Sequence, residues 1–456
     1  MMIRLLASLT AAILFFAIIS NAAQGTEDWF DKGNSFFDAQ RFREAIDAYT
    51  KVIEEFPDLS EAYVNRGLAW MNLNEYEKAI ADFTKAIELK PKFALPYHYR
   101  GQAWHNKNNP DRAIADFSKA IELKPRFAEA YLNRGNAWES KGDFKKAISD
   151  YTKALQIDPA FADAFQHRGY IRYARGEIEQ AVSDFTKALE INPKLAEVHL
   201  IRGNAWRDLG RYVQAISDYT QAVELDPHLA EGYFNRGDVW DEKDNPERAI
   251  ADYSKAIEIK PDFAEAYNSR GLAWHKKGEL TRAIADYSRA LEINPRFAEA
   301  YFNRANVWTE KENLKRAIKD FSKAIELNPD FAEAYLNRGN AWNQKGNYDR
   351  AIEDYSRALE LNPDFAEAYF NRGIARYISG KIDKAIEDFT KAVSLRSDFP
   401  EAYYYRSRCW GKKWEIFSGV PSYISKALLD ARQALKLDPD NEEYKNLVRQ
   451  LEAEIR

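Results

Sequence analysis

Apolar residues follow a helical period along most of the chain, in paired segments joined by short polar turns. In one pair, apolar residues recur three or four positions apart over 264–274 and again over 283–290. This spacing is typical of amphipathic α-helices. Gly278 in the turn can end the first helix in the left-handed region, and Pro295 cannot continue the second. The pattern predicts a unit of two helices.

The unit recurs with a fixed period of 34 residues, which is clearest in the prolines. These are Pro57, Pro91, Pro125, Pro159, Pro193, Pro227, Pro261, Pro295, Pro329 and Pro363. Twelve units begin at Thr26, Ser60, Ala94, Ala128, Ala162, Ala196, Ala230, Ala264, Ala298, Ala332, Ala366 and Pro400, and are called repeats 1 to 12. Such a period indicates stacked helix–turn–helix repeats rather than a globular enzyme.

Three positions of the unit are nearly constant. All twelve repeats have Ala at the position of Ala283, ten have Gly at that of Gly271, and nine have Trp at that of Trp274. This pattern resembles the tetratricopeptide repeat family, although Arg replaces the family's Leu before the Gly. The resemblance covers residues 26–441 and implies an all-α, right-handed α–α superhelix, a solenoid of twelve repeats.

The last repeat differs from the others. Ser397 replaces the expected proline, and the next proline at the equivalent repeat position is Pro439, so we predict an eight-residue insertion near 411–423. Trp414 and Phe417 within it are either interface residues or pack onto the solenoid's end. A final amphipathic segment, whose last part is 442–456, is predicted to be a capping helix with an apolar face. That face comprises Tyr444, Leu447, Val448, Leu451 and Ile455.

Composition narrows the functional classes. The net charge is −5 and charged residues of both signs make up 30% of the 456 residues, which predicts a soluble, mixed surface without the basic stripe of nucleic-acid binding. The repeats leave no stretch within this sequence for a catalytic domain, and no P-loop or His-Glu-x-x-His motif is present. We therefore expect a non-enzymatic protein without cofactors, monomeric or weakly self-associating.

The N-terminal residues are typical of a secretory signal peptide. Arg4 precedes an apolar run over 5–19 and small residues up to Ala22, so residues 1–22 are the predicted signal, cleaved after Ala22. The alternative is an uncleaved anchor, but the run is shorter than the ~20 residues a bilayer requires. No Asn-x-Ser/Thr site is present, which favours a bacterial protein. We expect export to the periplasm, or secretion, without stable membrane insertion after cleavage.

The six histidines do not suggest a metal site. His98 and His105 share a predicted helix but are seven residues apart, about 10 Å, too far to chelate one ion. We expect the histidines at polar surface positions, and no bound metal.

Arginine and aspartate form two ladders along the repeats. The arginines are Arg66, Arg100, Arg134, Arg168, Arg202, Arg236, Arg270, Arg304, Arg338, Arg372 and Arg406. The aspartates are Asp82, Asp116, Asp150, Asp184, Asp218, Asp252, Asp286, Asp320, Asp354, Asp388 and Asp430. We predict one charge-assisted pair in each repeat, such as Arg270 with Asp286 and Arg304 with Asp320, with ligand binding as the alternative.

A third ladder consists of asparagines directly before these arginines. They are Asn65, Asn133, Asn235, Asn303, Asn337 and Asn371. The resemblance places this position on the concave groove, where an asparagine ladder grips an extended peptide in some members. An amide both donates and accepts, which suits a peptide backbone. The alternative is hydrogen bonding between neighbouring repeats.

Other groove positions depart from the repeat consensus. Tyr99, His105, Tyr170, Tyr173 and Arg207 are candidate specificity residues, unless they reflect drift among similar repeats. The family's two-carboxylate clamp is not expected, since acidic residues such as Glu265 occupy its lysine position. These acids can favour the helix dipole and complete a capping box, as Asp262 and Glu265 could, or form an acidic groove edge.

The predicted function is a scaffold that binds a protein or peptide along the groove in the bacterial envelope. The alternative is an accessory subunit that presents substrate to a separate catalytic chain, or to envelope or secretion assembly machinery. Gene neighbourhood would distinguish the two.

Overall fold

The computed structural model describes residues 24–417 and 420–455, which form helices joined by short turns. The predicted signal segment 1–22 lies outside these residues. The chain divides into two compact units, Met1–Asp226 and Pro227–Arg456, which are described separately.

The first unit contains repeats 1 to 6, each a pair of antiparallel helices. The helices are α1 Gln24–Asp38, α2 Phe42–Glu55, α3 Ser60–Asn72, α4 Tyr76–Leu89, α5 Ala94–Asn106, α6 Pro110–Leu123, α7 Ala128–Ser140, α8 Phe144–Ile157, α9 Ala162–Ala174, α10 Ile178–Ile191, α11 Ala196–Asp208 and α12 Tyr212–Leu225.

The second unit contains repeats 7 to 12 and a final helix. The helices are α13 Ala230–Glu242, α14 Pro246–Ile259, α15 Ala264–Lys276, α16 Leu280–Ile293, α17 Ala298–Glu310, α18 Leu314–Leu327, α19 Ala332–Gln344, α20 Tyr348–Leu361, α21 Ala366–Ile378, α22 Ile382–Leu395, α23 Pro400–Ile416, α24 Pro421–Leu437 and α25 Glu442–Ile455.

The two helices of a repeat meet where a small residue faces a large ring. In repeat 8, Tyr287 is fully buried and its ring lies against Gly271. A Cβ atom on Gly271 would be 2.8 Å from Cε1 of Tyr287, closer than real contacts allow. The near-constant glycine is therefore explained by close helix packing.

In repeats 1 to 11, the turn between the two helices ends the first helix with one residue in the left-handed region. In repeat 8 this residue is Gly278 with φ of 75°, whose N–H donates to the carbonyl of His275 at 2.8 Å. Repeat 9 has Glu312 there instead, with φ of 57°. A residue with a Cβ atom is strained in this conformation, so Glu312 lowers the stability of its repeat.

Within each unit, the second helix of one repeat packs against the first helix of the next, and first helices also touch one another. Within the first unit α3 contacts α5, and within the second unit α17 contacts α19. The first helices of each unit therefore line one surface, which we call its inner face. All the predicted groove residues lie on these helices.

The predicted capping box at the start of α15 is not formed. The N-cap residue is Phe263 rather than Asp262, and no side chain caps the helix. Phe263 is buried, with its ring 4.8 Å from that of Phe234, so apolar packing decides this helix start. A carboxylate in the first turn of a first helix can pair instead with the end of the second helix of its own repeat, as Glu231 does with Lys260 at 3.5 Å.

The insertion in repeat 12 lengthens its helices, α23 and α24, to 17 residues each. The final helix α25 packs Val448 and Leu451 against α24, so it covers the end of the second unit. Trp414 packs against this cluster, whereas Phe417 is exposed. Ile455, the last residue of the predicted apolar face, lies in the final turn of α25 and is half exposed.

Candidate functional site

The asparagine ladder of the second unit joins neighbouring repeats along the inner face. The Nδ2 of Asn303 donates to Asn268 at 3.2 Å, that of Asn337 to Asn306 at 2.9 Å, and that of Asn371 to Asn340 at 3.0 Å. This is the inter-repeat bonding considered above as the alternative to peptide contact. Each of the three amides is half-buried, so it also remains part of the accessible face. Asn235 is half-buried on α13 of the same face.

These bonds leave the amide oxygens of Asn303, Asn337 and Asn371 unused. The Oδ1 atoms of Asn303, Asn337 and Asn371 accept no hydrogen bond from residues 24–417 or 420–455. Each amide group therefore has a fixed orientation and an acceptor still available. The inner face of the second unit thus presents three acceptors, one on each of the first helices α17, α19 and α21.

A tyrosine of the second helix extends this network inward. In repeat 10, the hydroxyl of Tyr355 donates at 2.8 Å to Asn340, which also accepts from Asn371. Asn340 was not singled out in the sequence, although a signal was present. Five of the six repeats with Tyr at this position have Asn or Asp at the position of Asn340.

Repeat 8 is the exception to that pairing. It has Tyr287 at the tyrosine position but Leu272 at the position of the asparagine. The hydroxyl of Tyr287 is buried without a hydrogen-bond partner in the described part of the chain. An unpaired buried hydroxyl costs about 1–3 kcal/mol, which makes this a weak point of the second unit.

The asparagines of the first unit also contact the preceding repeat. The Nδ2 of Asn65 donates to Asn34 at 3.2 Å, and the Nδ2 of Asn133 lies 3.5 Å from Nε2 of His98. In both units the amide thus contacts the preceding repeat, at one of two partner positions a helical turn apart, and stays half-buried on the inner face.

The expectation that all histidines lie on the surface was wrong for two of them. His98 is 4% exposed and His199 is 8% exposed. The His98 ring lies 4.7 Å from that of Phe127, and four other repeats have phenylalanine at the position of His98. Burial lowers the pKa of His98 to about 3. His199 lies 3.0 Å from an oxygen of Asp218.

The candidate specificity residues of the first unit are half-buried on its inner face. The ring of Tyr99 stacks on Phe83 at 5.9 Å. Burial lowers the pKa of His105, whose Nδ1 has no partner among the described residues. Both residues lie on α5, six positions apart.

The other three candidates lie on α9 and α11. The hydroxyl of Tyr173 donates to Asp208 at 2.6 Å, and Arg207 lies close enough for its charge to act on Tyr173. Burial raises the pKa of Tyr173 to about 12, and likewise that of Tyr170, whose ring lies 5.4 Å from Phe185. The tyrosines therefore stay protonated and can donate hydrogen bonds at neutral pH.

The arginine and aspartate ladders come together inside each of repeats 2 to 12. Arg270 donates to both oxygens of Asp286 at 2.7 and 2.8 Å, and Arg304 to both oxygens of Asp320 at 2.7 and 3.0 Å. A third arginine nitrogen reaches back to the preceding repeat, as Arg304 does to Ser288 at 3.0 Å. The pair therefore ties the two helices of its repeat and the preceding repeat together.

Repeats 5 and 11 place a second arginine on the same aspartate. Arg172 reaches Asp184 at 2.6 Å and Arg376 reaches Asp388 at 2.8 Å. In most other repeats this position has a tryptophan under a cation, as in Trp308 with Arg316 4.6 Å from its ring centroid. In repeats 5 and 11, an ion pair between arginine and aspartate thus replaces the contact between a cation and the tryptophan ring.

The described ranges, with their gap at 418–419, contain no group of three His, Cys, Asp or Glu side chains placed to hold a metal ion. No helix in these ranges combines the length and the apolar character needed to cross a bilayer.

Sequence profiles of known families match almost every repeat. The TPR repeat profile matches residues 169–206, 203–240, 242–278, 273–308 and 339–378. Tetratricopeptide repeat profiles match residues 29–59, 60–93, 94–127, 128–161, 298–331, 321–353 and 366–399. No curated protein matches the chain significantly.

Solved structures with stacked helix pairs also resemble the chain. YrrB, described as a TPR protein with an unusual peptide-binding site, is 31% identical over 43% of this chain and 97% of its own, with a TM-score of 0.38. Cut9–Hcn1 of the APC/C is 15% identical over 94% and 97%, with a TM-score of 0.44. Yeast Tom70 is 18% identical over 88% and 98%, with a TM-score of 0.38.

The predicted all-α solenoid fold is confirmed by the helix pairs and by the family matches. The family's proteins are generally non-catalytic scaffolds, typical of protein–protein interaction and peptide binding. The chain belongs to the tetratricopeptide repeat family.

Proposed function

We propose that the protein is a non-enzymatic scaffold of the bacterial envelope whose inner face binds an extended segment of a partner polypeptide. The observation that carries the proposal is the set of three unused amide oxygens on Asn303, Asn337 and Asn371. A peptide backbone supplies N–H donors at regular intervals, so acceptors on the first helices of successive repeats suit it. Such contacts give affinity with little dependence on the bound sequence.

The bonds between repeats support this proposal because they orient the amides before a ligand arrives. Each Nδ2 is held by the preceding repeat, as in Asn337 with Asn306. A pre-oriented group loses less conformational freedom on binding, which favours affinity. The Nδ2 hydrogen bonds that join the repeats thus also orient the Oδ1 acceptors.

The test must separate loss of binding from loss of stacking. The first variant combines Asn303→Ala, Asn337→Ala and Asn371→Ala. The control combines Ser288→Ala, Ser322→Ala and Ser356→Ala, which removes the hydrogen bonds from Arg304, Arg338 and Arg372 across the same three repeat interfaces, each 3.0 Å long. These serines lie on second helices, away from the inner face.

Both variants and the wild type are used to capture proteins from envelope extract, with helix content monitored by circular dichroism. We expect the asparagine variant to lose its captured partners and the serine variant to keep them. Equal capture by all three folded proteins would refute the role of the amides, and equal loss from both variants would assign the asparagines to stacking alone.

We also propose that the protein is exported and acts in the periplasm. The support is the positively charged start, the apolar run over 5–19 and the small residues up to Ala22. Osmotic-shock fractionation and the mass of the recovered chain test this: it should begin at Ala23. A chain that keeps residues 1–22 in the cytoplasmic fraction would refute export.

A further inference from the structure

The inner face of the second unit changes character at its last two repeats. Amides give way there to aromatic and cationic side chains on α21 and α23. We call this group the cationic aromatic patch; its residues are Tyr377, Ile378, Tyr404, Tyr405, Arg408 and Lys412. Ile378 is 51% exposed, and both cations are exposed.

The tyrosine rings form a connected cluster under the two cations. The ring centroids of Tyr404 and Tyr405 are 5.3 Å apart, and those of Tyr377 and Tyr405 are 6.2 Å apart. The guanidinium of Arg408 lies 5.7 Å from the rings of both Tyr377 and Tyr404, and Nζ of Lys412 lies 5.6 Å from Tyr377. Ring faces therefore orient the cations without neutralising them.

The positive charge of the patch is not balanced by a carboxylate. Neither Arg408 nor Lys412 forms a salt bridge with the residues that the structure describes. The next residue, Lys413, does form one, at 2.6 Å from Asp383. In repeat 8, Lys276 occupies the position of Lys412 and is held by Asp241 at 2.7 Å. The chain thus neutralises comparable cations elsewhere and leaves these two available.

We infer that the patch binds an acidic stretch of the partner polypeptide, with carboxylates at Arg408 and Lys412 and an apolar side chain against Tyr377 and Ile378. This inference rests on the proposed function, since it assigns the chemistry of the segment that the same face binds. A polypeptide is favoured because α21, which contributes Tyr377, also carries Asn371, the last amide of the ladder. One chain can therefore contact both.

The spacing of the cations suits an extended segment. Arg408 and Lys412 are four residues apart on one helix, so their Cα atoms are about 6 Å apart. Alternate residues of an extended chain are separated by about 6.6 Å and point to the same side. Two acidic residues separated by one other residue match the two cations.

The experiment selects binders from a random twelve-residue peptide library displayed on phage, using the immobilised full chain. We expect the enriched peptides to carry an excess of Asp and Glu. A synthetic copy of one such peptide should bind the variant Arg408→Glu/Lys412→Glu about tenfold more weakly than the wild type, and the wild-type affinity should fall with added salt.

The matched control is Lys315→Glu/Lys319→Glu. These lysines are also exposed and four residues apart, but lie on the second helix α18. The control makes the same change in net charge and should keep the wild-type affinity. If circular dichroism shows that the charge reversal disturbs the fold, Arg408→Gln/Lys412→Gln is used instead, and the expected loss of affinity is smaller.

Each other outcome refutes a defined part of the argument. Enriched peptides without acidic excess, or equal weakening by both charge-reversed variants, would overturn the inference and leave the proposed function standing. An absence of any enriched peptide would overturn both. Binding of polygalacturonate that depends on Arg408 and Lys412, without acidic selection among peptides, would assign the patch to an anionic polysaccharide instead.

Discussion

Tyr287 and Tyr355 occupy the same position in repeats 8 and 10 but differ in one hydrogen bond. The hydroxyl of Tyr355 donates to Asn340 at 2.8 Å, whereas that of Tyr287 is buried without a partner in the described chain. Loss of a made hydrogen bond costs about 0.5–1.5 kcal/mol, whereas removal of an unpaired buried hydroxyl relieves a desolvation cost of about 1–3 kcal/mol. We predict that Tyr355→Phe destabilises its repeat by about 1 kcal/mol and that Tyr287→Phe is neutral or stabilising by about 1 kcal/mol.

The natural sequence shows that phenylalanine fits at this position. Phe321 and Phe389 are equivalent residues in repeats 9 and 11, and both are fully buried. The comparison between the two tyrosines therefore reports on the hydroxyl group rather than on ring packing.

The assay is native-state hydrogen exchange read by mass spectrometry, because each repeat of a stacked array opens with its own free energy. Exchange in α20 should accelerate about fivefold in Tyr355→Phe, and exchange in α16 should stay equal or slow in Tyr287→Phe. Leu272→Asn should also slow exchange in α16 by giving Tyr287 an acceptor. In the Tyr287→Phe background, Leu272→Asn should no longer slow exchange in α16. The wild type, the two single variants and the double variant together form a double-mutant cycle.

The reasoning is refuted if Tyr287→Phe accelerates exchange in α16 as much as Tyr355→Phe does in α20. It is also refuted if Leu272→Asn has the same effect with and without the Tyr287 hydroxyl, since the gain would then have another cause.

Three further predictions concern local stability. Burial lowers the pKa of His98 to about 3, below the ~6.5 of the unfolded chain, so the free energy of unfolding is highest above pH 6.5 and decreases as the pH falls. We expect a loss of about 2 kcal/mol at pH 5. His98→Phe should remove this part of the pH dependence, as measured by denaturant unfolding. Glu312→Gly should stabilise repeat 9 by about 1 kcal/mol, and Gly346→Ala should destabilise repeat 10 similarly, both read by hydrogen exchange. Asp320→Ala leaves the guanidinium of Arg304 without its carboxylate and should cost about 3 kcal/mol by the same measurement; a cost below 1 kcal/mol would contradict the structural role of the pair.

The features of the fold that were predicted from the sequence follow from periodic steric rules. A small residue at Gly271 and a large one at Tyr287 recur at fixed positions, and helix packing requires that combination in every repeat. The pairing of Arg304 with Asp320 was predictable for a similar reason, since two ladders of opposite charge run in step with the period.

Features that depend on individual atoms could not be predicted in this way. Residue types at the start of α15 permit a capping box, but Phe263 takes the N-cap position because it packs in the core. His98 was expected on the surface because histidine is polar, yet it occupies a position that is phenylalanine in other repeats, such as Phe302. In both cases apolar burial outweighs the local preference of a polar side chain.

The same distinction bears on how the inner face of the second unit selects a partner. The sequence does not show which amide atoms of the asparagines form hydrogen bonds. In the structure, Asn303, Asn337 and Asn371 donate from Nδ2 to the preceding repeat, and their Oδ1 atoms remain available as acceptors. Equivalent neutral acceptors on three helices cannot distinguish one backbone from another. Arg408 and Lys412 at the end of that face can, because they favour one sign of charge. If the amides hold the segment and the cations choose it, exchange of the two cations for glutamate should change which peptides are selected, while loss of the three amides should weaken all of them alike.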